Sequence, residues 1–307
     1  MATIQSATGP LETDEMGFTL THEHVRVGAA YMRMQYPERF DRQADLDAAV
    51  SDLKEAYTVG VRTIVDLTPI NLGRDAALIR EASVLSGMRI VVATGLYWVT
   101  DLYFARQDPD TIAELFVQDI EQGIGSTGVR AGVIKCATQP AMDPYNERVL
   151  RATARAHRQT GVPIGTHTFA EGRTGLDQIR VFQEEGADLG RVIIGHSDDS
   201  ADIDYLDQII QSGASCGMDR IGLPAPRTSE ERADMVAALV GRGYADRITL
   251  SHDAGVIDGL IRSTDTHYSF IPTTFVPMLR ERGVSDGAIE QMTVRNPRRI
   301  FEQTAPY

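Results

Sequence analysis

Short runs of β-branched and small apolar residues alternate along this chain with segments of helical period. Eight such runs occupy residues 17–21, 63–67, 90–94, 131–135, 162–166, 192–195, 214–218 and 248–251. Between them, apolar residues recur at helical spacing in residues 45–57, 75–85, 112–124, 148–159, 175–185, 203–210 and 229–239. Because buried strands joined by helices pair in parallel with right-handed crossovers, eight such units close most naturally into a barrel. The sequence therefore predicts an α/β fold of the (β/α)8 TIM-barrel class.

The rest of the chain is predicted to surround this barrel. Residues 3–16, with Gly9 and Pro10 between two short segments, indicate a β-hairpin at the barrel floor. After the last strand we expect a loop over residues 254–269 and closing C-terminal helices over residues 270–279, 286–293 and 297–303. The 307 residues are 42% hydrophobic and contain no linker-like or low-complexity tract, so residues 1–307 are expected to form a single domain.

Composition and charge argue against several classes of partner. The net charge of −13 is spread over helical segments without a basic patch, which argues against nucleic acid or an anionic membrane. The first residues lack a signal-peptide pattern and no apolar stretch is long enough to cross a bilayer, so a cytoplasmic protein is expected. Cys136 and Cys216 lie inside apolar runs, which favours core residues over a disulfide framework or a CxxC site. A small, neutral or weakly charged substrate fits this composition.

Metal-binding side chains cluster at the ends of the predicted strands. In His22-Glu23-His24, strand spacing points the two imidazoles toward the same side of the sheet, which suits a transition-metal ion. The full set of candidate ligands is His22, His24, Lys135, His167, His196 and Asp253. Since active sites of (β/α)8 barrels lie at the C-terminal strand ends, the fold and the ligand pattern indicate the same location.

The number of candidate ligands favours two metal ions. Four imidazoles and one carboxylate exceed the needs of one catalytic zinc with an open position, yet they fill two metal spheres only with a bridging anion. Lys135 ends an apolar strand, where burial lowers an amine pKa and makes the neutral amine available to carbon dioxide. A carbamate there, that is N6-carboxylysine, would bridge two divalent metals, with a water-derived hydroxide as second bridge and nucleophile. Zinc is the expected metal, and these ligands also accept cobalt, manganese or iron.

An ordered set of motifs resembles the phosphotriesterase family of the amidohydrolase superfamily. The similarity runs nearly from end to end and is carried by His22-Glu23-His24, Lys135 in Gly-Val-Ile-Lys-Cys-Ala-Thr, His167 in Thr-His-Thr, His196 in Ile-Gly-His-Ser, Gly217-Met218-Asp219-Arg220, Ser251-His252-Asp253 and the closing Asn296-Pro297-Arg298-Arg299-Ile300-Phe301. This resemblance implies that His22, His24 and Asp253 hold a more buried metal. It also implies that His167 and His196 hold a more exposed metal and that carboxylated Lys135 bridges the two.

The resemblance also implies a substrate class. Tyr97 matches a tyrosine that lactonases of this family place over the substrate oxygen, and Arg220 matches an arginine beside the pocket mouth. We therefore expect hydrolysis of acyl-homoserine lactones or other γ- and δ-lactones by the metal-bridging hydroxide, with promiscuous phosphotriesterase activity. Asp253 would carry the proton from this hydroxide to the departing alkoxide. The alternatives are that Tyr97 is only pocket wall and that Arg220 pairs with a carboxylate such as Asp219 or one in a neighbouring loop.

Other functions and partners remain open from sequence alone. The chain could be primarily an organophosphate or aryl phosphotriesterase, or a carboxylesterase, and the remote alternative is a non-catalytic metal-binding barrel. Relatives form homodimers, and the aromatic segment of residues 98–104 is a candidate interface. Of the remaining histidines, His157 and His267 are expected to be solvated, whereas His252 should point away from the metals.

Overall fold

The computed structural model describes residues 2–257 and 267–307, with only the backbone of residues 256 and 257. Eleven strands are found in this part of the chain: β1 Thr3–Ser6, β2 Gly9–Glu12, β3 Phe18–Val27, β4 Val61–Asp66, β5 Arg89–Gly95, β6 Val133–Ala137, β7 Ile164–His167, β8 Val192–Ile194, β9 Ser215–Met218, β10 Ile248–Leu250 and β11 Gly255–Ile257. The α-helices of the same part are α1 Ala30–Gln35, α2 Arg42–Thr58, α3 Ala76–Ser86, α4 Pro109–Glu121, α5 Pro144–Thr160, α6 Thr174–Glu184, α7 Ile203–Gln211, α8 Ser229–Gly241, α9 Val276–Glu281, α10 Asp286–Glu290 and α11 Asn296–Phe301.

Strands β3 to β10 form the predicted barrel. Each strand from β3 to β9 pairs in parallel with the next one in the chain. The short strand β11 pairs in parallel with β3. The seam between β10 and β3 is bridged beyond the end of β10, where the His22 N–H donates to Ser251 Oγ at 2.8 Å and the Asp253 N–H donates to the His22 carbonyl at 3.0 Å. The (β/α)8 prediction is confirmed, as are the antiparallel β1–β2 hairpin and the C-terminal helices.

Burial explains why these runs form strands. The barrel strands are buried almost throughout, as expected for parallel strands covered by helices on one face and packed in the barrel interior on the other. Aspartates at the helix starts accept backbone N–H groups: Asp41 caps α2, Asp108 caps α4 and Asp143 caps α5. The helices α4 and α5 begin with proline, and they start three and four residues earlier than periodicity alone predicted. No helix in the described ranges is long and apolar enough to cross a membrane.

Two expectations about peripheral regions need correction. Residues 255–257, predicted as loop, form β11 because β3 extends to Val27 and offers backbone groups beyond its pairing with β4. The remainder of that predicted loop, residues 258–266, lies outside the described residues. His157 is fully buried, not solvated, because the C-terminal segment covers it: its Nδ1–H donates to the Val162 carbonyl at 2.6 Å and its Nε2 lies 2.8 Å from the Tyr307 hydroxyl.

Candidate metal centre

The six candidate ligands lie together at the C-terminal end of the barrel. His22 and His24 project from β3, Lys135 from β6 and His167 from the last position of β7, while His196 and Asp253 lie two and three residues beyond the ends of β8 and β10. His22, Lys135 and His196 are no more than 2% exposed, and the other three are buried or half-buried. The strand alternation predicted for His22 and His24 therefore places both imidazoles in one cluster, with ring centroids 5.5 Å apart.

Nitrogen and oxygen atoms of these side chains converge within hydrogen-bonding distance. Asp253 Oδ1 lies 3.0 Å from His24 Nε2 and 3.4 Å from His22 Nε2. On the other side of the cluster, His196 Nε2 lies 2.7 Å from His167 Nδ1. Among the described residues, His22, His24 and Asp253 form a group whose ligand atoms lie within 4.8 Å of one another, as a metal site requires.

Lys135 lies at the centre of the cluster. Its Nζ donates to His22 Nε2 at 2.8 Å and to the Thr166 carbonyl at 3.3 Å, and the side chain is 1% exposed. Burial lowers the pKa of this amine to about 8, although the nearby Asp253 and Asp219 carboxylates act in the opposite direction. The neutral amine is therefore much more available near neutral pH than in an ordinary lysine. The chain contains only one other lysine, Lys54, which is exposed on α2.

Asp219, directly after β9, fixes the orientation of two imidazoles. Its Oδ2 accepts from His22 Nδ1–H at 2.7 Å, and its Oδ1 accepts from His196 Nδ1–H at 2.8 Å and from the His196 backbone N–H at 2.7 Å. Because a carboxylate only accepts, both rings carry their proton on Nδ1 and present the Nε2 lone pair to the cluster. The same atoms explain why His22, His196 and Asp219 form a second compact ligand group, since their contacts are hydrogen bonds.

Two of the imidazoles, those of His22 and His167, are held in the neutral form that metal binding requires. Burial, followed by the charge of Lys135, lowers the pKa of His22 to about 3. Burial and the neighbouring His196 likewise hold the pKa of His167 well below its ordinary value. Burial alone would raise the pKa of Asp253, but the interactions with the His22, His196 and His24 rings outweigh this effect. They hold the pKa of Asp253 well below its usual range, so the carboxylate is ionised.

His24 is oriented by a neutral partner. Its Nδ1 lies 2.9 Å from Thr68 Oγ1, just beyond the end of β4. Thr68 is held in turn by its backbone N–H, which donates to Asp66 Oδ1 at 2.9 Å, while Asp66 Oδ2 accepts from the Val25 N–H at 2.7 Å. A hydroxyl thus takes the place at His24 that a carboxylate takes at His22 and His196.

Arg220 lies at the edge of the cluster within a chain of alternating charges. Its Nη1 donates to Asp199 Oδ2 at 2.8 Å and its Nε lies 3.5 Å from Asp253 Oδ2. The fully buried Arg232 of α8 pairs with Asp199 and also with Asp198. Asp198 accepts the backbone N–H groups of Asp219 and Arg220 at 3.2 and 3.1 Å. The predicted pairing of Arg220 with a carboxylate is thus found, with Asp199 as the partner.

Tyr97 forms part of the cluster wall. Its ring contacts that of His167 edge to face at a centroid distance of 5.0 Å, and burial raises the pKa of its hydroxyl. Asn71 fixes the backbone here, since its Oδ1 accepts the Tyr97 N–H at 2.6 Å and its amide donates to the Tyr97 and Val99 carbonyls. A cavity of about 240 Å³ beside this wall is lined by His167, Phe169, Arg220 and Pro226, among others.

Sequence reasoning missed the partners behind the ligands. Asp219, Thr68 and Glu23 are each buried and hydrogen-bonded to a ligand or to the backbone around one. For Glu23 the available signal was its position between His22 and His24 in a buried strand, whereas Asp219 and Thr68 are adjacent in sequence to none of the candidate ligands. His252 points away from the cluster as expected, because its Nδ1–H donates to Glu23 at 2.7 Å.

Comparison with known proteins places this architecture in a family. A sequence model of the phosphotriesterase family matches residues 2–301. The phosphotriesterase homology protein of Mycobacterium tuberculosis is 43% identical over the whole of both chains, and the aryldialkylphosphatase of Saccharolobus solfataricus is 36% identical over 95% of this chain and 96% of its own. The solved structure of the phosphotriesterase from Mycobacterium tuberculosis superimposes with a TM-score of 0.93 at 41% identity, covering 99% of this chain and 100% of the other. This chain therefore belongs to the phosphotriesterase family of hydrolases.

Proposed function

We propose that this protein is a binuclear metal-dependent hydrolase that opens lactones and hydrolyses phosphotriesters as a secondary activity. The observation that carries the proposal is the convergence of four imidazoles, the Asp253 carboxylate and the buried Lys135 amine at one end of the barrel. Burying an ammonium next to neutral imidazoles costs free energy, whereas a role in metal binding would account for every group in the cluster.

The donor set fits two divalent metals with a bridge. His22, His24 and Asp253 would hold one ion, and His167 and His196 the other. Lys135 would supply the bridge by carboxylation, in which the neutral amine adds to carbon dioxide, forms an N–C bond and releases one proton. The pKa of about 8 for this amine supports the reaction, since the nucleophile is the unprotonated form. Nitrogen and oxygen donors of this kind suit zinc, and also cobalt, manganese or iron.

The residues of the chain divide the work of hydrolysis. Metals bound in this cluster would polarise the substrate carbonyl and lower the pKa of the attacking water. Asp253 takes the proton from that water and passes it to the departing alkoxide, because its carboxylate is ionised and faces the centre of the cluster. Tyr97 remains protonated and donates a hydrogen bond to the substrate oxygen. Arg220 is hydrogen-bonded to Asp199 and lies close to Asp253, and this places its guanidinium beside the mouth of the site.

The substrate class separates two candidate activities. Tyr97 next to His167 supports a lactonase, in which a phenol steadies the ester oxygen beside the exposed metal position. The 36% identical aryldialkylphosphatase supports phosphotriesters as the second candidate. The same attacking water and the same proton acceptor would serve either reaction, so the walls of the pocket set the preference.

The experiment that tests the function compares initial rates on three substrates. Protein purified with divalent metal and bicarbonate is offered an acyl-homoserine lactone, a simple γ- or δ-lactone and an aryl phosphotriester. We expect kcat/KM to be highest for a lactone. The reverse order would assign the chain as a phosphotriesterase, and two bound metals without turnover of any ester would leave only the metal-binding barrel.

The bridge is tested at Lys135. Lys135→Ala should lose metal and activity together, and a short carboxylic acid added to the buffer should restore part of both by replacing the carbamate. Lys54→Ala is the matched control, since it removes the only other lysine from an exposed position. A ¹³C-bicarbonate-labelled sample should show one carbamate resonance that is absent in Lys135→Ala. Full metal content in Lys135→Ala would contradict the bridge.

The surface supports a homodimer. Tyr31, Met34, Leu102 and Tyr103 are between 57% and 84% exposed. Tyr31 lines a surface depression together with Val99 and Asp101, so the first of these residues lies near the segment that contains Leu102 and Tyr103. Large apolar side chains clustered on a surface typically mark a protein interface. The double variant Met34→Glu/Leu102→Glu should sediment as a monomer, whereas Val84→Glu, which changes an equally exposed apolar residue on α3, should not change the mass.

A further inference from the structure

Glu23 lies between the two imidazoles of the His22-Glu23-His24 triplet, and its carboxylate is fully buried on the other face of β3. Oε1 accepts from the Ser251 hydroxyl at 2.7 Å, from the His252 backbone N–H at 3.0 Å and from His252 Nδ1–H at 2.7 Å. Oε2 accepts from the Ala254 N–H at 3.0 Å. One carboxylate therefore binds donors on both sides of Asp253.

Asp253, which lies between these donors, has an unusual backbone conformation. Asp253 has φ of 56°, in the left-handed region that residues other than glycine rarely adopt. Such a conformation persists only where the surroundings determine it, and it is common at functional sites. The Asp253 N–H itself donates to the His22 carbonyl at 3.0 Å. Three successive N–H groups, of residues 252 to 254, are thus bound by the two adjacent residues His22 and Glu23.

His252 connects this turn to the closing helices. Because its Nδ1–H donates to Glu23, its Nε2 carries the lone pair and accepts the Ile271 N–H at 3.2 Å. Ile271 begins a π-helical turn, Ile271–Phe275, that leads into α9. The Asp253 turn is therefore fixed between β3 and the C-terminal helices.

A second ligand in the same cluster has the same arrangement. His196 has φ of 57°, and Asp219 Oδ1 accepts both its backbone N–H and its ring Nδ1–H. Among non-glycine residues that the structure describes, only Arg173 shares this backbone region with His196 and Asp253. Both candidate ligands in left-handed conformation are thus next to a buried carboxylate that binds their backbone surroundings.

We propose that Glu23 is a positioning residue that holds the Asp253 turn in its left-handed conformation and thereby places the Asp253 carboxylate beside His22 and His24 for metal binding. This inference rests on the proposed function, because it assumes that Asp253 is a metal ligand. Glu23 is not itself one of the candidate ligands; it acts through the Ser251 hydroxyl, the backbone N–H groups of residues 252 and 254 and the ring of His252.

The test is metal affinity in Glu23→Gln, a change that keeps the shape of the side chain and removes an acceptor oxygen. Zinc and cobalt affinities are measured by chelator competition, and kcat and KM follow at saturating metal. We expect affinity for at least one metal to fall by about 10- to 100-fold and kcat to fall with it, while KM changes little. Glu23→Asp keeps the charge one methylene shorter and should restore part of the affinity.

The variant Asp119→Asn is the control that distinguishes a loss of stability from a loss of metal affinity. Asp119 is a partly buried carboxylate on α4 that accepts from Arg74 and Thr94, away from the cluster. This control should lower the melting temperature without changing metal affinity. If Glu23→Gln is folded and binds metal as tightly as the wild-type protein, the inference is wrong.

A second variant covers the case in which Glu23→Gln does not fold. His252→Phe keeps the ring volume but removes the Nδ1–H donor and the Nε2 acceptor, so a loss of metal affinity by a few fold is expected, and unchanged affinity would overturn the proposal. Failure of the proposed function has a different signature: a wild-type protein that binds two metals and hydrolyses no ester would refute the hydrolase, while the loss of affinity in Glu23→Gln would still support Glu23.

Discussion

Asp219 and Glu23 are buried carboxylates behind the same cluster, but they support it in different ways. Asp219 contacts two ligand side chains directly, at His22 Nδ1 and His196 Nδ1. Glu23 contacts no ligand side chain, and its bonds go to Ser251, His252 and Ala254 around Asp253. An imidazole needs a partner that selects its protonated nitrogen, whereas a carboxylate ligand needs only to be placed. The support of the candidate imidazole ligands therefore includes a bond to the ring, whereas the support that Glu23 gives the Asp253 carboxylate acts only on the residues around it.

The largest expected effect comes from Asp219→Asn. The asparagine amide can donate to an Nδ1 atom, which would move the ring proton to Nε2 and point it at the metal position. We expect kcat/KM to fall by about 100- to 10,000-fold, as when a carboxylate that selects a histidine tautomer becomes an amide. Nitrogen-15 spectra of the histidine rings, recorded with metal analysis, would show the tautomer change. A loss of activity no greater than that of Glu23→Gln would break the distinction between the two carboxylates.

The second expected effect is a loss of stability when the buried ion pair between Arg232 and Asp198, next to Asp219, is broken. Arg232 is fully buried and pairs with Asp198, whose carboxylate accepts the Asp219 and Arg220 N–H groups. Arg232→Met leaves a buried carboxylate without its counter-charge, which should lower the free energy of unfolding by about 3–5 kcal/mol. Urea denaturation measures this loss.

The control for Arg232 is an exposed ion pair. Arg242→Met breaks the pair between Arg242 and Asp207, in which the arginine is 49% exposed, and should cost about 1 kcal/mol or less. Equal losses in the two variants would show that the buried network does not support the Asp219 side of the cluster. Glu23 is held by hydrogen bonds, and none of them comes from Arg232. We therefore expect only the Asp219 side of the cluster to depend strongly on the ion pairs of Arg232 with Asp198 and Asp199.

The smallest expected effect is at His24, where a hydroxyl replaces the carboxylate. Thr68→Val removes the Oγ1 contact to His24 Nδ1 and preserves the volume of the side chain. Activity should fall by about tenfold or less, below the effect of Asp219→Asn, because one imidazole loses a neutral partner. Thr63→Val, which removes a buried hydroxyl bonded to the Met16 carbonyl on the far side of the barrel, should lower the melting temperature and leave kcat unchanged.

The sequence predicted the barrel because its signal repeats eight times and each strand is short, apolar and followed by a helix. The convergence of the six candidate ligands was also predicted, since histidines at strand ends combine with a motif order that resembles one family. Asp219, Thr68 and Glu23 were missed because a hydrogen-bond partner has no fixed spacing from its ligand. Asp219 is 197 residues from His22, and only the barrel brings the two together.

His157 shows a second limit of sequence reasoning. Its polar neighbours on α5 predict a solvated face, but the residues that cover it come from the end of the chain, where Tyr307 bonds to its ring. Helical periodicity reports on the helix alone and carries no information about a segment that packs across it 150 residues later. Burial of a polar residue by a distant segment is therefore visible only in three dimensions.

The Glu23 contacts also bear on how such enzymes diversify. The backbone N–H groups of residues 252 to 254 are bound from β3 by His22 and Glu23, so the proposed placement of the Asp253 carboxylate relies on contacts that come before Gly255. Gly255 itself must stay small, since a side chain there would collide with the His24 carbonyl. If Glu23 positions Asp253 as proposed, we expect changes in length or composition after Ile257 to alter substrate preference more than metal affinity.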